Sequence, residues 1–389
     1  MRSTSRCVSR RRIATGCALA GAVLAFGACG SDSEPSSGGS AGTQAAPAAV
    51  SATEVIEKAG VSNDKSFCGT KPIKLGIHDG FGVNPWSQYS MAAVRSEAAK
   101  CPNVTQVVAI GQGDLQKSIS DVNGMVAQGV DALVIVPDFG AAQLPSLRAA
   151  TAAGVKVVPW AAAPGGTKGN DYLDYVDWDP KAAGKVFAEW MVKALDGKGN
   201  VVYLGGPAGN PVGLGQLKGF QEVFDQNPGI KMLTGYKSWP ATNWDPALAQ
   251  KTMAALLAKY PKIDGVLSED GPSMVAAIRA LTNANRPLIP MTALESNGIA
   301  CTYERLTDDN PKLQLATMSG RSWMGRVAAR KAIAAAEGIE NKEPSTYDLP
   351  LNADTLGGKP PKCDKAASPD AFFSNLIDDQ QLKRFGKVG

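Results

Sequence analysis

Short apolar segments alternate with helix-like segments along most of this chain, and this alternation limits the possible folds more than any other feature. Segments rich in Val, Ile and Leu, such as the one from Ala132 to Val136, are each followed by a stretch with helical spacing of apolar residues. The pattern continues from Ile73 to Thr292 and includes a predicted helix from Gly215 to Gln226 and a predicted strand from Pro287 to Thr292. Strands that alternate with helices form parallel sheets covered by helices on both faces. We therefore predict an α/β fold with doubly wound parallel sheets.

Residues 1–28 have the features of an export signal. Five arginines and no acidic residue precede a mostly apolar run from Ile13 to Ala28, which is too short to span a bilayer permanently. The run ends in small residues before Cys29, a pattern similar to a lipobox. We therefore predict cleavage before Cys29 and lipidation of its thiol, with ordinary signal cleavage as the alternative. The pair Arg10-Arg11 leaves the general and the twin-arginine export routes both open.

Residues 29–52 are predicted to form a flexible tether. They are mainly Ser, Gly, Ala and Pro, and such a segment buries too little apolar surface to offset its ordering entropy. The formal net charge is +4 for the whole chain and −1 without the predicted signal, so the remaining charge balance does not indicate nucleic-acid binding. We expect an extracytoplasmic protein that is anchored to the outer face of the cell membrane through its N-terminal lipid.

The cysteines and the single histidine argue against several kinds of site. Three of the seven cysteines fall in the predicted signal or at the lipidation site, which leaves Cys68, Cys101, Cys301 and Cys363. An even number in an oxidising compartment favours two disulfides, and three pairings are open from the count alone. His78 is the only histidine and no CxxC spacing occurs, which argues against a zinc site and against a Ser-His-Asp or Cys-His catalytic system.

Polar and aromatic side chains concentrate just after the predicted strands, where open parallel sheets bind ligands. In the first half of the body these candidates are Asp79, Phe81, Asn84, Trp86, Asp138 and Trp160. In the second half they are Asp177, Asn210, Trp244, Asp270 and Glu295. Six of the seven tryptophans lie near predicted strand ends, which favours a binding surface over the usual role of Trp in a core.

Several segments carry a family resemblance. The segment Asn84-Pro85-Trp86 is similar to the Asn-Pro-aromatic motif that follows the first strand in type I periplasmic solute-binding proteins of ABC importers. The stretch from Gly129 to Pro137 resembles the Gly-Val-Asp-Ala-Ile-Ile-Val-Pro segment of the ribose-binding branch of that family. The order and spacing of such matches extend over nearly all of the range 71–338. The resemblance implies two similar lobes, joined by three crossings of the chain, with the ligand in the cleft between them.

The resemblance also implies domain ranges and a disulfide pattern. The N-lobe would comprise residues 68–176 plus 320–345, and the C-lobe residues 177–319 plus 346–389. With these ranges, the pairs Cys68–Cys101 and Cys301–Cys363 each lie within one lobe. A bridge between lobes would block hinge closure, so these two pairs are expected.

Only part of the family's sugar site can be carried over to this chain. Trp86 matches an aromatic residue that stacks on the sugar ring, and Trp244 matches a second aromatic position. Asp270 matches a position that usually holds Asn or Asp, Glu295 matches one where Asp is common, and Arg321 follows the position of a late Gln. Two arginines that clamp sugars in the family have no counterpart; one is replaced by the segment Trp160-Ala161-Ala162. A polyol, a modified sugar, an aromatic solute or a cationic solute therefore stand beside an ordinary sugar as candidate ligands.

The expected function is the capture of a small polar solute and its delivery to an ABC permease, by a monomer that has no cofactor, no metal and no enzymatic activity. The alternative is a ligand-sensing receptor for a sensor kinase. An enzymatic interpretation would rest on the glycines at 213, 215 and 219, whose spacing is one residue longer than the dinucleotide-binding pattern. A transcriptional regulator of similar fold is excluded by the export signal.

Overall fold

The computed structural model describes residues 52–60, 64–82 and 84–387, and it confirms the α/β architecture. The predicted signal, the lipidation site Cys29 and nearly all of the predicted tether lie outside the described residues. Within the described ranges, no helix is both long enough and apolar enough to cross a membrane.

Twelve strands occur in the described part of the chain. They are β1 (Ile73–Asp79), β2 (Val104–Ile110), β3 (Ala132–Val136), β4 (Lys156–Pro159), β5 (Asp177–Trp178), β6 (Gly199–Leu204), β7 (Ile230–Met232), β8 (Gly265–Ser268), β9 (Met291–Leu294), β10 (Leu315–Met318), β11 (Thr346–Tyr347) and β12 (Ala353–Asp354). The helices of the same part are α1 (Ala52–Gly60), α2 (Pro85–Ala98), α3 (Leu115–Ala127), α4 (Leu144–Ala152), α5 (Pro180–Ala194), α6 (Pro211–Asp225), α7 (Pro246–Lys259), α8 (Gly271–Asn283), α9 (Asn297–Leu306), α10 (Met324–Glu337) and α11 (Asp379–Phe385).

Several helices begin at a capping side chain followed directly by proline. The pairs are Asn84-Pro85, Asp179-Pro180, Asn210-Pro211 and Asp245-Pro246, and in each the side chain accepts a hydrogen bond from a backbone N–H of the first turn. The cap satisfies one amide that has no partner inside the helix, while proline needs no such partner. The local sequence therefore determines where these helices start, just after the strands that precede them.

The strands form two main sheets. The first has the order β2-β1-β3-β4 and is parallel throughout; with α2, α3, α4 and α10 it makes up what we call the four-stranded half. The second has the order β12-β10-β9-β8-β6-β7 and is parallel except for the short edge strand β12; with α5 to α9 it makes up the six-stranded half. Every residue of β3 is buried, as expected for a strand covered on both faces.

Three connections join the two halves: β4 to β5, β10 to α10, and α10 through β11 to β12. The short strands β5 and β11 pair with each other in parallel, with Asp177 opposite Thr346 and Trp178 opposite Tyr347. Asp177 and Trp178 therefore do not follow a strand, as the sequence pattern suggested, but form one. Two of the connecting segments thus support each other through backbone hydrogen bonds.

Two element boundaries differ from the sequence pattern for identifiable reasons. Helix α6 begins at Pro211 rather than at Gly215, because the side chain of Asn210 accepts from the N–H of Val212 at 2.9 Å and starts the helix early. Strand β9 is Met291–Leu294, whereas the pattern favoured 287–292. Pro287 and Pro290 lack the backbone N–H that a central strand donates to its neighbour, so regular pairing starts after them.

The end of the chain returns to the four-stranded half. Helix α11 packs against α2, and the Nη1 of Arg95 donates to the carbonyl oxygens of Phe385 and Lys387, both at 2.8 Å. The sequence analysis assigned the whole range 346–389 to the C-lobe, but its last part, helix α11, packs against the four-stranded half. Contacts between a short exposed helix and a distant one leave no signal in the local sequence.

Both expected disulfides are present. Cys68 is bonded to Cys101, and Cys301 is bonded to Cys363. The first links the segment before β1 to the end of α2, within the four-stranded half. The second links α9 to the segment that follows β12, so it fixes the start of the C-terminal segment against the six-stranded half.

Candidate functional site

A cavity lies between the carboxyl ends of the two sheets. Seven residues predicted for the site line it, namely Phe81, Asn84, Trp86, Asp138, Trp244, Asp270 and Arg321. They come from loops after β1, β3, β7, β8 and β10, which belong to both halves. The strand-end rule for open parallel sheets therefore selected seven residues that line one cavity.

Five other predicted residues do not line the cavity but support it. They are Asp79, Trp160, Asp177, Asn210 and Glu295, and all five are buried. The tryptophans behave in the same way. Trp86 and Trp244 line the cavity, whereas Trp160, Trp178, Trp239 and Trp323 are buried. Of the six tryptophans that the sequence pattern assigned to a binding surface, two therefore lie at the cavity.

Trp86 forms an aromatic wall of the cavity and is held in place on two sides. Its ring stacks on Trp160 with centroids 5.7 Å apart and an interplanar angle of 30°. Its Nε1 donates to the carbonyl oxygen of Gly320 at 2.6 Å. Because Trp160 is only 1 % exposed, it acts as a rigid backing for Trp86 rather than as a ligand contact. Contacts within the protein therefore fix the ring plane of Trp86.

The cleft is closed by direct contacts between the two halves. The rings of Phe81 and Trp244 meet edge to face with centroids 5.0 Å apart. The Nδ2 of Asn210, at the start of α6, donates to the carbonyl oxygen of Asp138 at 3.2 Å. A Cβ atom on Gly140 would lie 2.8 Å from Cγ of Pro211, so the backbones also approach closely there. The two halves thus contact each other directly across the cleft.

Buried carboxyl groups face the cavity from both sheets. Burial, followed by the negative charge of nearby Asp79, raises the pKa of Asp138 well above its ordinary value. Burial also raises the pKa of Glu269, and it raises that of Asp270 to about 6. The Oδ2 of Asp270 accepts from the N–H of Ser273 at 2.8 Å, so Asp270 also caps α8.

Glu269 is a cavity residue that the sequence reasoning missed. Its Oε1 accepts from the N–H of Gly206 at 2.8 Å and from Nε1 of Trp244 at 3.0 Å. Its Oε2 is buried and accepts no hydrogen bond of normal geometry from the described residues, while the nearby hydroxyl of Tyr203 opposes the rise in the pKa of this carboxyl group. A buried oxygen of this kind is suited to accept a hydrogen bond from a ligand. Glu269 directly precedes Asp270, so the strand-end rule applied one residue earlier would have found it.

Asp79 shapes the loop after β1 instead of lining the cavity. Its Oδ1 accepts from the N–H of Phe81 at 2.9 Å, from the N–H of Gly82 at 2.6 Å and from Oγ of Ser87 at 3.1 Å. These bonds fold the loop tightly, which brings Phe81 over the cavity. Asp79 therefore acts through the residues it positions.

Arg321 is the one cationic side chain among the described residues that line the cavity. Its Nη1 donates to the carbonyl oxygen of Ala161 at 2.8 Å and to Oδ1 of Asp177 at 3.1 Å. The guanidinium lies 5.4 Å from the ring centroid of Trp86 and 5.0 Å from that of Trp178. Asp177 is thus the counter-ion of Arg321, and the hydroxyl of Tyr175 donates to the same carboxylate.

The position of Arg321 bears on the missing family arginines. The resemblance places an arginine just after β4, where this chain has Ala161 and Ala162. In the structure a guanidinium reaches this strand end from the loop after β10, because the carboxyl ends of the two sheets face each other. Arg321 adopts a left-handed backbone conformation with φ of 56°, which turns its side chain toward β4 and β5.

Glu295 fixes a junction beside the cavity. Its Oε1 accepts from the N–H of Ser374 at 2.8 Å and from that of Gly320 at 3.4 Å, and its Oε2 accepts from Nδ2 of Asn352 at 3.0 Å. These partners lie in two of the connections and in the C-terminal segment. Asp370 and Phe372 of that segment line the cavity, and no strand-end signal pointed to them.

No group of three or more His, Cys, Asp or Glu side chains in the described residues is arranged to hold a metal ion. The arrangement that is present consists of hydrogen-bond acceptors, one paired guanidinium and aromatic faces. Such a site is suited to hold a solute by hydrogen bonds and ring stacking.

Comparison with known proteins identifies the class to which this fold and site belong. A family model for the periplasmic binding protein domain matches residues 80–340, which is more than half of the chain. The protein therefore belongs to the periplasmic binding protein family.

Two curated relatives are binding proteins that are named after a polyol or a sugar. The chain is 29 % identical over 198 residues to the xylitol-binding protein of Mycolicibacterium smegmatis, covering 51 % of this chain and 55 % of that protein. It is 31 % identical over 163 residues to the galactofuranose-binding protein of Escherichia coli, covering 42 % of this chain and 51 % of that protein. The chain thus matches about half the length of these curated relatives.

Solved structures show the same fold. The crystal structure of a galactofuranose binding protein superposes with a TM-score of 0.62 at 22 % identity, covering 81 % of this chain and 100 % of that one. A solute binding protein of an ABC transporter from Mycobacterium smegmatis, solved with bound glycerol, superposes with a TM-score of 0.62 at 25 % identity. That match covers 73 % of this chain and 94 % of the other.

Proposed function

We propose that this protein is an extracytoplasmic receptor that captures a neutral polyhydroxylated solute, a sugar or a polyol, and delivers it to an ABC importer. The observation that carries the proposal is a cavity with the fixed ring plane of Trp86 on one side and, on the other, the buried carboxyl group of Glu269 and the half-buried one of Asp270. Aliphatic C–H groups pack on an aromatic plane, and hydroxyl groups donate to carboxylate oxygens. Family membership and the names of the relatives support the same class of solute.

The charge of the cavity disfavours anionic solutes. Among the described residues, four carboxyl groups line it, those of Asp138, Glu269, Asp270 and Asp370, against the one guanidinium of Arg321, which is already paired with Asp177. A sugar acid or a sugar phosphate would bring its own negative charge into a region where burial already raises the pKa of Asp138, Glu269 and Asp270. Neutral hydroxyl groups meet no such penalty.

We also propose that the two halves act as lobes that close on the solute. The supporting features are the three connections, the pairing of β5 with β11, and the contacts of Asn210 and Phe81 across the cleft. A solute that touches residues of both halves stabilises the closed arrangement, because it has higher affinity for that arrangement than for an open one.

A titration of the purified chain tests the proposal. Isothermal calorimetry with xylitol, glycerol, D-ribose and D-xylose should reveal a ligand with a Kd in the micromolar range, about −8 kcal/mol. Absence of binding to all such compounds, or chemical conversion of a bound solute by the protein alone, would contradict the proposed function.

Replacement of Trp86 by alanine is expected to weaken binding of that solute by about 1–3 kcal/mol, since the stacking plane is lost. Trp86 also contacts the core and Trp160, so the alanine variant should lose some folding stability as well. Trp86→Phe is the matched control, because it keeps an aromatic plane while losing the Nε1 bond to Gly320. If Trp86→Ala binds with the affinity of the parent, the solute does not stack on this residue.

The pH dependence of binding separates a neutral solute from a cationic one, which the acidic cavity would also suit. Asp270, with its pKa of about 6, becomes protonated as the pH falls from 7 to 5. A cationic solute paired with this carboxylate should then bind about tenfold more weakly per pH unit below 6. A neutral solute should change much less, since a protonated carboxyl still forms hydrogen bonds. We expect the smaller change.

The control for this measurement is Asp270→Asn. Asparagine is also a good N-cap, so α8 should keep its start while the titrating group is removed. If a steep loss of affinity below pH 6 occurs in the parent and disappears in Asp270→Asn, the solute is a cation and the proposal of a neutral ligand is wrong.

We further propose export of the chain and attachment to the membrane through a lipidated Cys29, as its sequence context predicts. In cells that make the full chain, Cys29→Ala should release the mature protein from the membrane fraction, because the thiol that carries the lipid is absent. Mass spectrometry of the N-terminal peptide provides the direct measurement. An unmodified cysteine in a membrane-bound parent would contradict the proposal.

A further inference from the structure

The C-terminal segment 363–387, which we call the C-terminal strap, crosses from one half of the molecule to the other beside the cavity. It starts at Cys363, which is bonded to Cys301 in α9. It ends in α11, which packs against α2 in the four-stranded half. The strap is therefore a fourth connection, in addition to the three that the family resemblance implies.

Asn297 fastens the first part of the strap to the six-stranded half, in addition to the disulfide. The Nδ2 of Asn297 donates to the carbonyl oxygens of Asp364 at 2.8 Å, Ala367 at 3.1 Å and Ser368 at 3.1 Å. Its Oδ1 accepts from the N–H of Asp364 at 2.9 Å, and its own N–H donates to the carbonyl oxygen of Ala371 at 2.8 Å. A buried amide side chain with this many partners holds a specific loop conformation.

The middle of the strap forms part of the cavity. Asp370 is exposed at the mouth, and Phe372, only 2 % exposed, lies in the wall. The ring of Phe372 meets Tyr89 of α2 edge to face with centroids 5.4 Å apart. A Cβ atom on Gly320 would lie 2.8 Å from Cδ1 of Phe372, so the strap packs closely against the residue that accepts the Nε1–H of Trp86.

The far end of the strap is fastened at the connection between β10 and α10. The hydroxyls of Ser374 and Ser319 lie 2.7 Å apart, and the N–H of Ser322 donates to Oδ1 of Asn375 at 3.1 Å. The Nη2 of Arg326 donates to the carbonyl oxygen of Leu376 at 2.7 Å. Asp370 and Phe372 are thus held between two sets of anchors, one on each side of the cavity.

We infer that the C-terminal strap is a component of the ligand site. In this arrangement Asp370 accepts a hydrogen bond from a solute hydroxyl at the mouth of the cavity, and Phe372 positions the ring of Trp86. The inference rests on the proposed function and deepens it, since it assigns two specificity-determining positions to a segment outside the two lobes. The physical reason is placement: a carboxylate and an aromatic ring are both fixed at the cavity by anchors that do not depend on the ligand.

Calorimetry with the solute that binds the parent tests the role of Asp370. Asp370→Ala removes the acceptor oxygens from an exposed side chain and should weaken binding about tenfold, as for the loss of a hydrogen bond to a charged group, with an unchanged melting temperature. Asp379→Ala is the matched control, because Asp379 lies on α11 of the same strap and does not line the cavity. Phe372→Leu should also weaken binding when it is made in the parent. The same substitution should have a smaller effect in a Trp86→Ala background, because no indole remains there for Phe372 to position.

Two outcomes would overturn the inference without touching the proposed function. In one, the parent binds a sugar or polyol while Asp370→Ala and Phe372→Leu bind it with the same affinity. In the other, hydrogen–deuterium exchange of the unliganded parent shows the amides of Ala371 and Ser374 exchanging as fast as those of an unstructured peptide. Failure of the parent to bind any sugar or polyol would instead overturn the proposed function, and with it the ligand role of the strap.

Discussion

Replacement of Arg321 by methionine should lower the free energy of unfolding by about 3–5 kcal/mol, because it leaves the buried carboxylate of Asp177 without its counter-ion. Asp177 is 2 % exposed, and burial already raises its pKa even though Arg321 opposes that shift. In the variant, the pKa of Asp177 should rise further because Arg321 no longer lowers it, so the loss of stability should be smaller at pH 5 than at pH 8. Denaturant unfolding at the two pH values measures both effects.

The double variant Arg321→Met/Asp177→Asn separates folding from binding. Asparagine carries no charge and can still accept from the hydroxyl of Tyr175, so most of the lost stability should return. Binding of the solute should remain weak if the guanidinium contacts it in the cavity. Full recovery of affinity in the double variant would show that Arg321 acts only as a structural partner of Asp177.

Removal of the Cys301–Cys363 disulfide, in the variant Cys301→Ser/Cys363→Ser, should lower the free energy of unfolding by about 4 kcal/mol. The bridge closes a loop between residues 62 positions apart, and chain entropy of the unfolded state accounts for the expected size. Because Cys363 begins the C-terminal strap, the variant should also show faster amide exchange at Ala371 and Ser374. Guanidinium unfolding and exchange measured by mass spectrometry give the two results.

The second disulfide provides a comparison within the same molecule. Cys68 and Cys101 are 33 positions apart, so Cys68→Ser/Cys101→Ser should cost about half a kcal/mol less than the Cys301–Cys363 variant. It should leave amide exchange in the strap unchanged, since this bridge lies in the four-stranded half. Faster exchange at Ala371 in the Cys68→Ser/Cys101→Ser variant would contradict the assignment of Cys363 as the anchor of the strap.

The local sequence accounts for most of the secondary structure and for the general position of the site. Apolar strands such as β3 and capped starts such as Asn84-Pro85 are determined by residues next to each other in the chain. Parallel topology then places the residues after β1 and β3 at the carboxyl edge of the first sheet, and those after β8 at the carboxyl edge of the second. This is why Trp86, Asp138 and Asp270 could be predicted without coordinates.

Burial separated the residues that line the cavity from those that support it, and burial depends on the packing of distant segments. Trp160 and Trp86 both follow strands, yet Trp160 lies behind Trp86 and is hidden from the cavity. Asp177 and Asp270 are both acidic residues. The carboxylate of Asp177, however, is paired with Arg321, which lies 144 positions later in the chain. No local pattern distinguishes the members of these pairs.

The sequence by itself determined the α/β class, the element order, the even set of four body cysteines and the strand ends at which the ligand site had to lie, because these depend on periodicity, capping and parallel topology. Only the tertiary structure decided that Arg321 reaches the end of β4, that the buried Oε2 of Glu269 accepts no hydrogen bond of normal geometry from the described residues, and that the strap brings Asp370 and Phe372 to the cavity. These features arise from contacts between segments that are far apart in the chain. The free energy of such a contact depends on distance and burial, and the contact leaves no periodic signal in the amino-acid order.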